Sequence, residues 1–434
     1  MIGPGAYLQS DRLTDPVYAW APPEAGLPDG TVWKFHRAMY GKNNACRHFH
    51  FNTQSHFLTI PDITVSSAFD TIYLVVLRGA ISTHVDDTLN AGDPAFLASV
   101  ATVLKSYSTH RPDHGDIQFA GITARTDNSG IDCDAGPYAA ALTPLPLSPP
   151  LSSPLPDPKA LHSLAAKLLW VGRVDRPDVL TNAAHLAKLP NPAGADARRA
   201  NDTLAAVALH PISLHYPPLD PASLCFDVYA DYSGSATSPL YRRQPGYLIT
   251  LVDASRRFSF LHWASHLPHR VCRGSCAGEL LALADAVAAA LAVRLLLQEL
   301  LSRRIPLAAY TDSSAAYDLV TSFKDATDMT GKNDLFIFRR SLLSGSIHTI
   351  SLIQGADNPA DALSKPLYAR PAPNPALTNA LLAGKLHVPV ISCTTSAGYR
   401  TAPRDAAPSP RRAPRPPSPA RADEGGVCPP PRDL

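Results

Sequence analysis

The stretch LCFDVYAD, residues 224–231, decides how the second half of the chain folds. It is a short, mostly apolar run of the kind that forms a buried strand, and it ends on the acid Asp231. A second stretch, PLAAYTD, has the same character and ends on Asp312. If the two strands are neighbours in one sheet, their ends lie together, so the sequence predicts that these acids are close in space.

The segments around these strands alternate between strand and helix patterns. GYLITLVDASRRFSFLHWAS predicts a hairpin with a turn at residues 253–256, and a long helix follows at about 276–302. Further on, SSAAYDLVTS predicts a helix, IHTISLIQG a strand, and NPADALSKPL the start of a final helix. The resulting order, β-β-β-α-β-α-β-α, indicates an α/β domain with a mixed sheet and helices on its faces.

Four acids in this region lie at strand ends or in the first turns of helices: Asp231, Glu279, Asp312 and Asp361. Four carboxylates in one place repel one another unless cations neutralise them, and hard oxygen ligands suit Mg²⁺ or Mn²⁺. Two such ions activate a water and stabilise the leaving oxygen in phosphodiester cleavage. The alternative is that each acid separately caps a helix or faces solvent; the positions of all four in this element order favour a shared site.

The motifs VYADYSGSA, SCAGELLAL, YTDSSAAYDL and NPADALSKPL resemble, in order and spacing, those of the ribonuclease H domain of copia-type retrotransposon polyproteins. The resemblance implies a ribonuclease H-like fold with a five-stranded mixed sheet, and cleavage of the RNA strand of RNA–DNA hybrids. It also implies a catalytic, metal-binding set that holds two Mg²⁺ or Mn²⁺ ions, made of Asp231, Glu279, Asp312 and Asp361. The chain departs from the family at Ser233, where an acid is common, and in having no His just before Asp361.

The resemblance continues upstream, where the apolar segment 70–84, predicted as a strand, leads to Asp86 and Asp87. THVDDTL resembles the Y-V-D-D turn of a reverse transcriptase, and LLWVGRVDRPDVLTNAAHLA resembles its thumb-side segment. This implies that Asp86 and Asp87 are palm acids that bind Mg²⁺ with the incoming triphosphate. AYLQSDRL, which begins at Ala6, resembles an earlier stretch of the same enzyme, and in the family a further palm acid lies about four residues before it. The first five residues, MIGPG, contain no acid, so we expect polymerisation to be lost.

Proline-rich segments divide the chain. TPLPLSPPLSSPLPDP is typical of an extended linker, and the Pro/Arg/Ala-rich C-terminus is typical of disorder. The predicted parts are a partial reverse-transcriptase fingers and palm (1–142), a linker (143–158), thumb- or connection-like helices (159–215), the ribonuclease H-like domain (216–370) and a mostly disordered tail (371–434). The fold class is therefore α/β, preceded by a truncated α+β palm and thumb.

Composition sets limits on partners and location. The net charge of +2 in 434 residues gives no strong electrostatic footprint, so only a local basic groove would bind nucleic acid. Seven cysteines without zinc-type spacing indicate free thiols in a reducing compartment, and the N-terminus lacks a signal-peptide pattern. The apolar run LLALADAVAAALAVRLLLQELL contains three charged residues, which favours a partly buried helix over a membrane span. We expect a cytoplasmic or nuclear protein that is not secreted and has no membrane partner.

Several basic and aromatic residues lie near the predicted site. Arg270 and Arg273 precede the long helix, and two interpretations stay open: contact with a nucleic-acid phosphate, or a solvated turn. Lys365 follows Asp361 on the same predicted helix; contact with the nucleic-acid backbone is one interpretation, and a surface lysine is the one we favour. Trp263 in the hairpin is expected in the core rather than as a platform for stacking bases.

Three functions are compatible with these patterns. The leading one is a retroelement-derived ribonuclease H that binds and cleaves RNA–DNA hybrids. The alternative is a catalytically dead remnant that at most binds nucleic acid, which the drifting upstream motifs favour. A third, another RNase-H-like nuclease such as an integrase core, is disfavoured by the reverse-transcriptase-like flank. The sequence leaves the oligomeric state open.

Overall fold

A computed structural model describes residues 10–13, 16–39, 45–85, 87–107, 115–147, 150–233, 244–268, 272, 274–322, 329–366 and 373–401. Of the residues singled out above, Asp86, Arg270 and Arg273 lie outside these ranges, as does the end of the predicted tail from residue 402. Met1–Arg400 forms one compact unit.

The chain mixes strands and helices throughout, so the predicted α/β class is confirmed. The strands are β1 (Val17–Trp20), β2 (Val32–Phe35), β3 (Thr64–Val65), β4 (Ile72–Val75), β5 (Gly79–His84), β6 (Asp87–Gly92), β7 (Asp116–Phe119), β8 (Ile122–Asp127), β9 (Gly130–Asp134), β10 (Leu214–Tyr216), β11 (Cys225–Ser233), β12 (Gln244–Val252), β13 (Phe258–Ser265), β14 (Leu307–Thr311), β15 (Thr349–Ile353) and β16 (Val390–Thr395). The helices are α1 (Ala45–Phe57), α2 (Pro94–Leu104), α3 (Gly136–Ala140), α4 (Pro158–Val174), α5 (Pro177–Leu186), α6 (Gly194–Leu209), α7 (Ser275–Leu301), α8 (Ser314–Thr321), α9 (Met329–Ser344), α10 (Asp361–Ser364), α11 (Pro375–Ala383) and α12 (Ser396–Thr401).

The largest sheet has the strand order β13-β12-β11-β14-β15-β16. The pairs β11–β14 and β14–β15 are parallel, and the other pairs are antiparallel. Strand β11 is buried on both faces, which explains its nearly continuous apolar sequence. Phe226 and Val228 pack into the core on the α7 side, whereas Tyr229 packs into the core on the opposite face. Trp263 lies in that second core, so its expected position in the protein interior is confirmed.

Helix α7 packs against β11, β12 and α9, with Ala282, Leu283 and Ala286 fully buried. Among the described residues it is the one helix whose length and composition would also suit a membrane span. Its apolar character follows from its place in the fold, because it has the sheet on one side and α9 on another.

The upstream segment 70–84 is a hairpin rather than the single strand that its apolar run predicts. It divides into β4 and β5, and Leu77 between them has a positive φ of 57°. The antiparallel pairing places Tyr73 opposite Ile81, and both side chains are completely buried in a core that includes Phe96 of α2. The two strands are the central pair of a four-stranded antiparallel sheet with the order β3-β4-β5-β6, and the cross-strand pair Tyr73–Ile81 lies at the centre of its core.

Helices α4 and α5 lie on either side of a break just before Pro177, and they contact the large sheet and α10. The Trp263 ring nitrogen donates to the carbonyl of Gly172 in α4 at 2.7 Å. The Thr181 hydroxyl of α5 donates to the carbonyl of Ala362 in α10 at 2.8 Å, and both partners are buried. The first bond ties α4 to β13, and the second fixes α10, the helix that carries Asp361, against α5.

The sheet has six strands, not the five that the resemblance implies. Within the predicted tail 371–434, residues 373–401 contain α11, β16 and α12. Strand β16 pairs antiparallel with β15. Helix α11 is anchored because Asn374 accepts from the Leu377 N–H at 2.9 Å and donates to the Asn358 carbonyl at 3.0 Å. Leu377 is buried and adds an apolar contact that the proline-rich composition of this region did not indicate. The remaining domain boundaries stay predictions.

Candidate metal centre

The pairing of β11 with β14 brings Asp231 and Asp312 together, as the sequence predicts. These strands are parallel, and Tyr229 lies opposite Tyr310 in the last pair of the register. Two residues further along each strand come Asp231 and Asp312, both at the carboxyl ends of the central strands. The two carboxylates therefore meet at one edge of the sheet.

Helix α7 adds Glu279 to this pair. Carboxylate oxygens of Asp231, Glu279 and Asp312 all lie within 4.8 Å of one another. The approach of the helix depends on Gly278, because a Cβ at that position would overlap the ring of Tyr232 in β11. Glycine at this one position lets the helix come close enough to deliver the next residue, Glu279, to the strand ends.

Burial and mutual repulsion disturb the titration of these acids. Burial, followed by the charges of Asp231 and Asp312, raises the pKa of Glu279 from 4.5 to about 9. Burial and then Asp231 raise the pKa of Asp312 to about 6, against the opposing charge of Lys365. In addition, Oε2 of Glu279 is buried and has no hydrogen-bond partner among the described residues. In the absence of a bound cation, Glu279 and Asp312 therefore stay protonated at pH values at which an exposed carboxyl group would be ionised.

Asp361 lies outside this group of three, which differs from the expectation of one four-acid site. Its carboxylate forms an ion pair with Lys365, four residues further along the chain. The Lys365 ammonium is also 3.5 Å from Oδ2 of Asp231. The Lys365 side chain is 42% exposed, as expected of a surface lysine, but its charged end lies between two of the predicted site acids, which the sequence did not indicate. Burial alone would lower the pKa of Lys365, but the charges of Asp231 and Asp361 outweigh it and raise that pKa.

Two polar residues near Asp361, Ser364 and Asn358, support the site without standing out in the sequence. The Ser364 hydroxyl donates to Oδ2 of Asp231. The completely buried Asn358 donates to the Ala230 carbonyl at 3.0 Å and accepts from the Ala360 N–H at 3.1 Å. Two sequence signals could have indicated these features. Small polar residues stand on either side of Asp361 in NPADALSK, and a glycine stands directly before Glu279 in a segment otherwise rich in helix-forming residues.

The residues at the strand ends fit a hard divalent cation. Three carboxylates from three different elements converge, and one of their oxygens is buried without a hydrogen-bond partner among the described residues. Mg²⁺ and Mn²⁺ are bound in proteins mainly by such oxygen ligands. Among the described residues this is the one group of three or more His, Cys, Asp or Glu side chains whose ligand atoms all lie within 4.8 Å of one another.

The upstream acids have a different setting. Asp87 begins β6 and lies opposite His84, across a turn in which Val85 has a positive φ of 55°. Its Oδ2 accepts a hydrogen bond from the Ala120 N–H at 3.3 Å. Asp87 therefore lies directly after the turn that joins β5 and β6, and Asp86 lies outside the described residues. The polymerase role of both acids stays a prediction.

No protein-family model matches the chain. No curated protein matches it either. Among solved structures, RNase H1 of Halobacterium salinarum NRC-1 is 21% identical and covers 32% of this chain and 93% of its own, with a TM-score of 0.25. An N-terminal RNase H domain from Mycobacterium tuberculosis, fused to maltose-binding protein, is 16% identical and covers 33% and 91%, with a TM-score of 0.25. The protease–reverse transcriptase of prototype foamy virus is 12% identical and covers 82% and 68%, with a TM-score of 0.22. Scores this low do not establish a common fold.

Proposed function

We propose that the protein is a divalent-metal-dependent nuclease of the ribonuclease H type, which cleaves the RNA strand of RNA–DNA hybrids. The observation that carries the proposal is the convergence of Asp231, Glu279 and Asp312, with carboxylate oxygens within 4.8 Å at the ends of two parallel central strands. The motifs around these three residues are the ones that resemble the copia-type ribonuclease H domain. Substrate class and family come from that resemblance.

Each acid has a role in this proposal. Asp231, Glu279 and Asp312 would hold Mg²⁺ or Mn²⁺, and Asp361 is the candidate ligand for a second ion. Bound metal supplies an activated water and neutralises the leaving oxygen. Ser364 and Asn358 are positioning residues, since the first hydrogen-bonds Asp231 and the second ties the α10 side of the site to β11. Asp231 is buried, whereas Glu279 and Asp312 are partly exposed, so the site is open to solvent on one side.

The rest of the chain has a proposed role too. We assign 216–370 to the nuclease part and 1–142 to a part that resembles the palm of a reverse transcriptase. Phosphate contact by Arg270 and Arg273, and a cytoplasmic or nuclear location, belong to the same proposal. Because Thr181 and Gly172 hydrogen-bond the sheet region from the preceding helices, the whole chain is the appropriate protein for experiments.

The test is cleavage of an RNA–DNA hybrid with labelled RNA by the full chain in Mg²⁺, beside double-stranded RNA and DNA. We expect cleavage of the RNA strand in the hybrid only, and its loss when EDTA removes the metal. Asp312→Asn should lower the rate about a hundredfold or more, because bound metal contributes several kcal/mol to transition-state stabilisation. Asp318→Asn is the matched control, since this acid is exposed on the adjacent helix α8.

Two results would overturn the proposal. If folded wild-type protein binds Mn²⁺ and hybrid but cleaves nothing, the acids belong to a remnant that only binds nucleic acid. If Asp312→Asn cleaves as fast as the wild type, the activity does not come from this site.

A further inference from the structure

Lys365 is placed where an additional cation would have to act. It directly follows α10, and its ammonium forms an ion pair with Asp361 on that helix. The same ammonium lies 3.5 Å from Oδ2 of Asp231 on β11. One lysine therefore bridges the three-acid group and the fourth predicted acid, which come from different elements of the fold.

The burial of its partners separates this contact from an ordinary surface pair. Exposed ion pairs contribute little to stability, because water and salt screen both charges. Here the side chain of Asp231 is only 3% exposed and that of Asp361 is 17% exposed. A buried carboxylate is costly unless it is paired, so Lys365 stabilises the acidic cluster when no metal is bound.

The position of Lys365 also sets a competition. Oδ2 of Asp231 accepts from Ser364 and faces the Lys365 ammonium, and the Asp231 carboxylate is also one of the three candidate metal ligands. A divalent cation placed among these carboxylates would be repelled by an ammonium at this distance. The Lys365 side chain is 42% exposed and has a flexible four-carbon stem, so it has room to turn towards solvent.

We propose that Lys365 is a built-in counter-ion of the acidic cluster, which a divalent cation must displace before Asp361 can join the ligands. This inference rests on the metal site of the proposed function. It assigns to Lys365 two opposite effects: the lysine stabilises the metal-free protein, and it weakens the affinity for the metal.

The test is calorimetric titration of the full chain with MnCl₂, for the wild type and Lys365→Met. Methionine keeps an unbranched apolar stem and removes the charge. We expect Lys365→Met to bind Mn²⁺ about tenfold or more tightly, because a positive charge next to the metal is removed. We also expect it to melt at a lower temperature than the wild type when metal is absent. Lys385→Met, at an exposed lysine, should change neither property.

A conservative variant and a ligand variant complete the test. Lys365→Arg keeps the charge and should bring the Mn²⁺ affinity back towards that of the wild type, which a merely structural defect would not do. Glu279→Gln should weaken Mn²⁺ binding and so identify the site that is titrated. Equal or weaker Mn²⁺ binding by Lys365→Met, with binding still dependent on Glu279, would overturn the inference and leave the metal site standing. Absence of Glu279-dependent binding in the wild type would overturn both. Tighter Mn²⁺ binding without any hybrid cleavage would support the counter-ion role and contradict the nuclease.

Discussion

Replacing Gly278 by alanine should damage the metal centre from outside its ligand set. The new Cβ would overlap three ring carbons of Tyr232, whose side chain is buried on β11 and cannot move aside freely. Overpacking of this kind costs about 1–3 kcal/mol. Alanine returns about 1 kcal/mol through its higher helix propensity, so the net loss of stability is about 0–2 kcal/mol. Helix α7 must shift to relieve the overlap, and Glu279 shifts with it, so Mn²⁺ affinity should fall about 10–100-fold.

The matched control is the same substitution in the facing helix α9. A Cβ at Gly331 would have its nearest neighbour, a carbon of Leu280, at 3.6 Å, which is ordinary van der Waals contact. Gly331→Ala should therefore be neutral or stabilising, and the two variants should differ by about 1–3 kcal/mol in urea denaturation, because the propensity term is common to both. Equal stability of the two variants, or unchanged Mn²⁺ affinity in Gly278→Ala, would refute the close-approach argument.

Two further predictions concern pH and the support of α10. The folded protein holds the Glu279 proton up to about pH 9, against an ordinary pKa of 4.5, so the metal-free protein should lose stability as pH rises between these values. Saturating Mn²⁺ should remove most of that slope in urea denaturation, and a metal-free stability that does not fall with pH would contradict the raised pKa. Thr181→Val should cost about 1–3 kcal/mol, because it leaves the buried Ala362 carbonyl without its donor. The exposed Thr102→Val is its control, and an equally small loss for both would argue against the role of α5 in holding α10.

The parts of the fold that local patterns determine were predictable. The apolar runs that end on Asp231 and Asp312 mark the two strands, and the length of the apolar helix marks α7. Their meeting at one sheet edge follows from parallel pairing, which the alternation of strands and helices indicates. The break between α4 and α5 follows from Pro177, which cannot continue a helix.

Features that depend on tertiary contacts were not predictable. Val390 and Ile391 of β16 are largely exposed, so the segment has no buried pattern, and its pairing with β15 joins distant parts of the chain. The positive φ of Leu77, which splits the segment 70–84, is rare for leucine and has no sequence signal.

The placement of Lys365 is a second case of this kind. The segment NPADALSKPL predicts only an exposed lysine near the start of the final helix. Its charged end points to Asp231 because α10 is fixed by Thr181 on one side and by Asn358 on the other. Position in the folded protein, and not residue type, therefore gives this lysine its proposed role.

The central claim is that Asp231, Glu279 and Asp312 hold a divalent cation. The most direct measurement is a crystal structure of the full chain grown with MnCl₂, with an anomalous difference map that locates the manganese. We expect a peak among the three carboxylates, with the Lys365 ammonium turned away from Asp231. Manganese found elsewhere, with Lys365 still paired to both acids and no peak among the three carboxylates, would contradict the account.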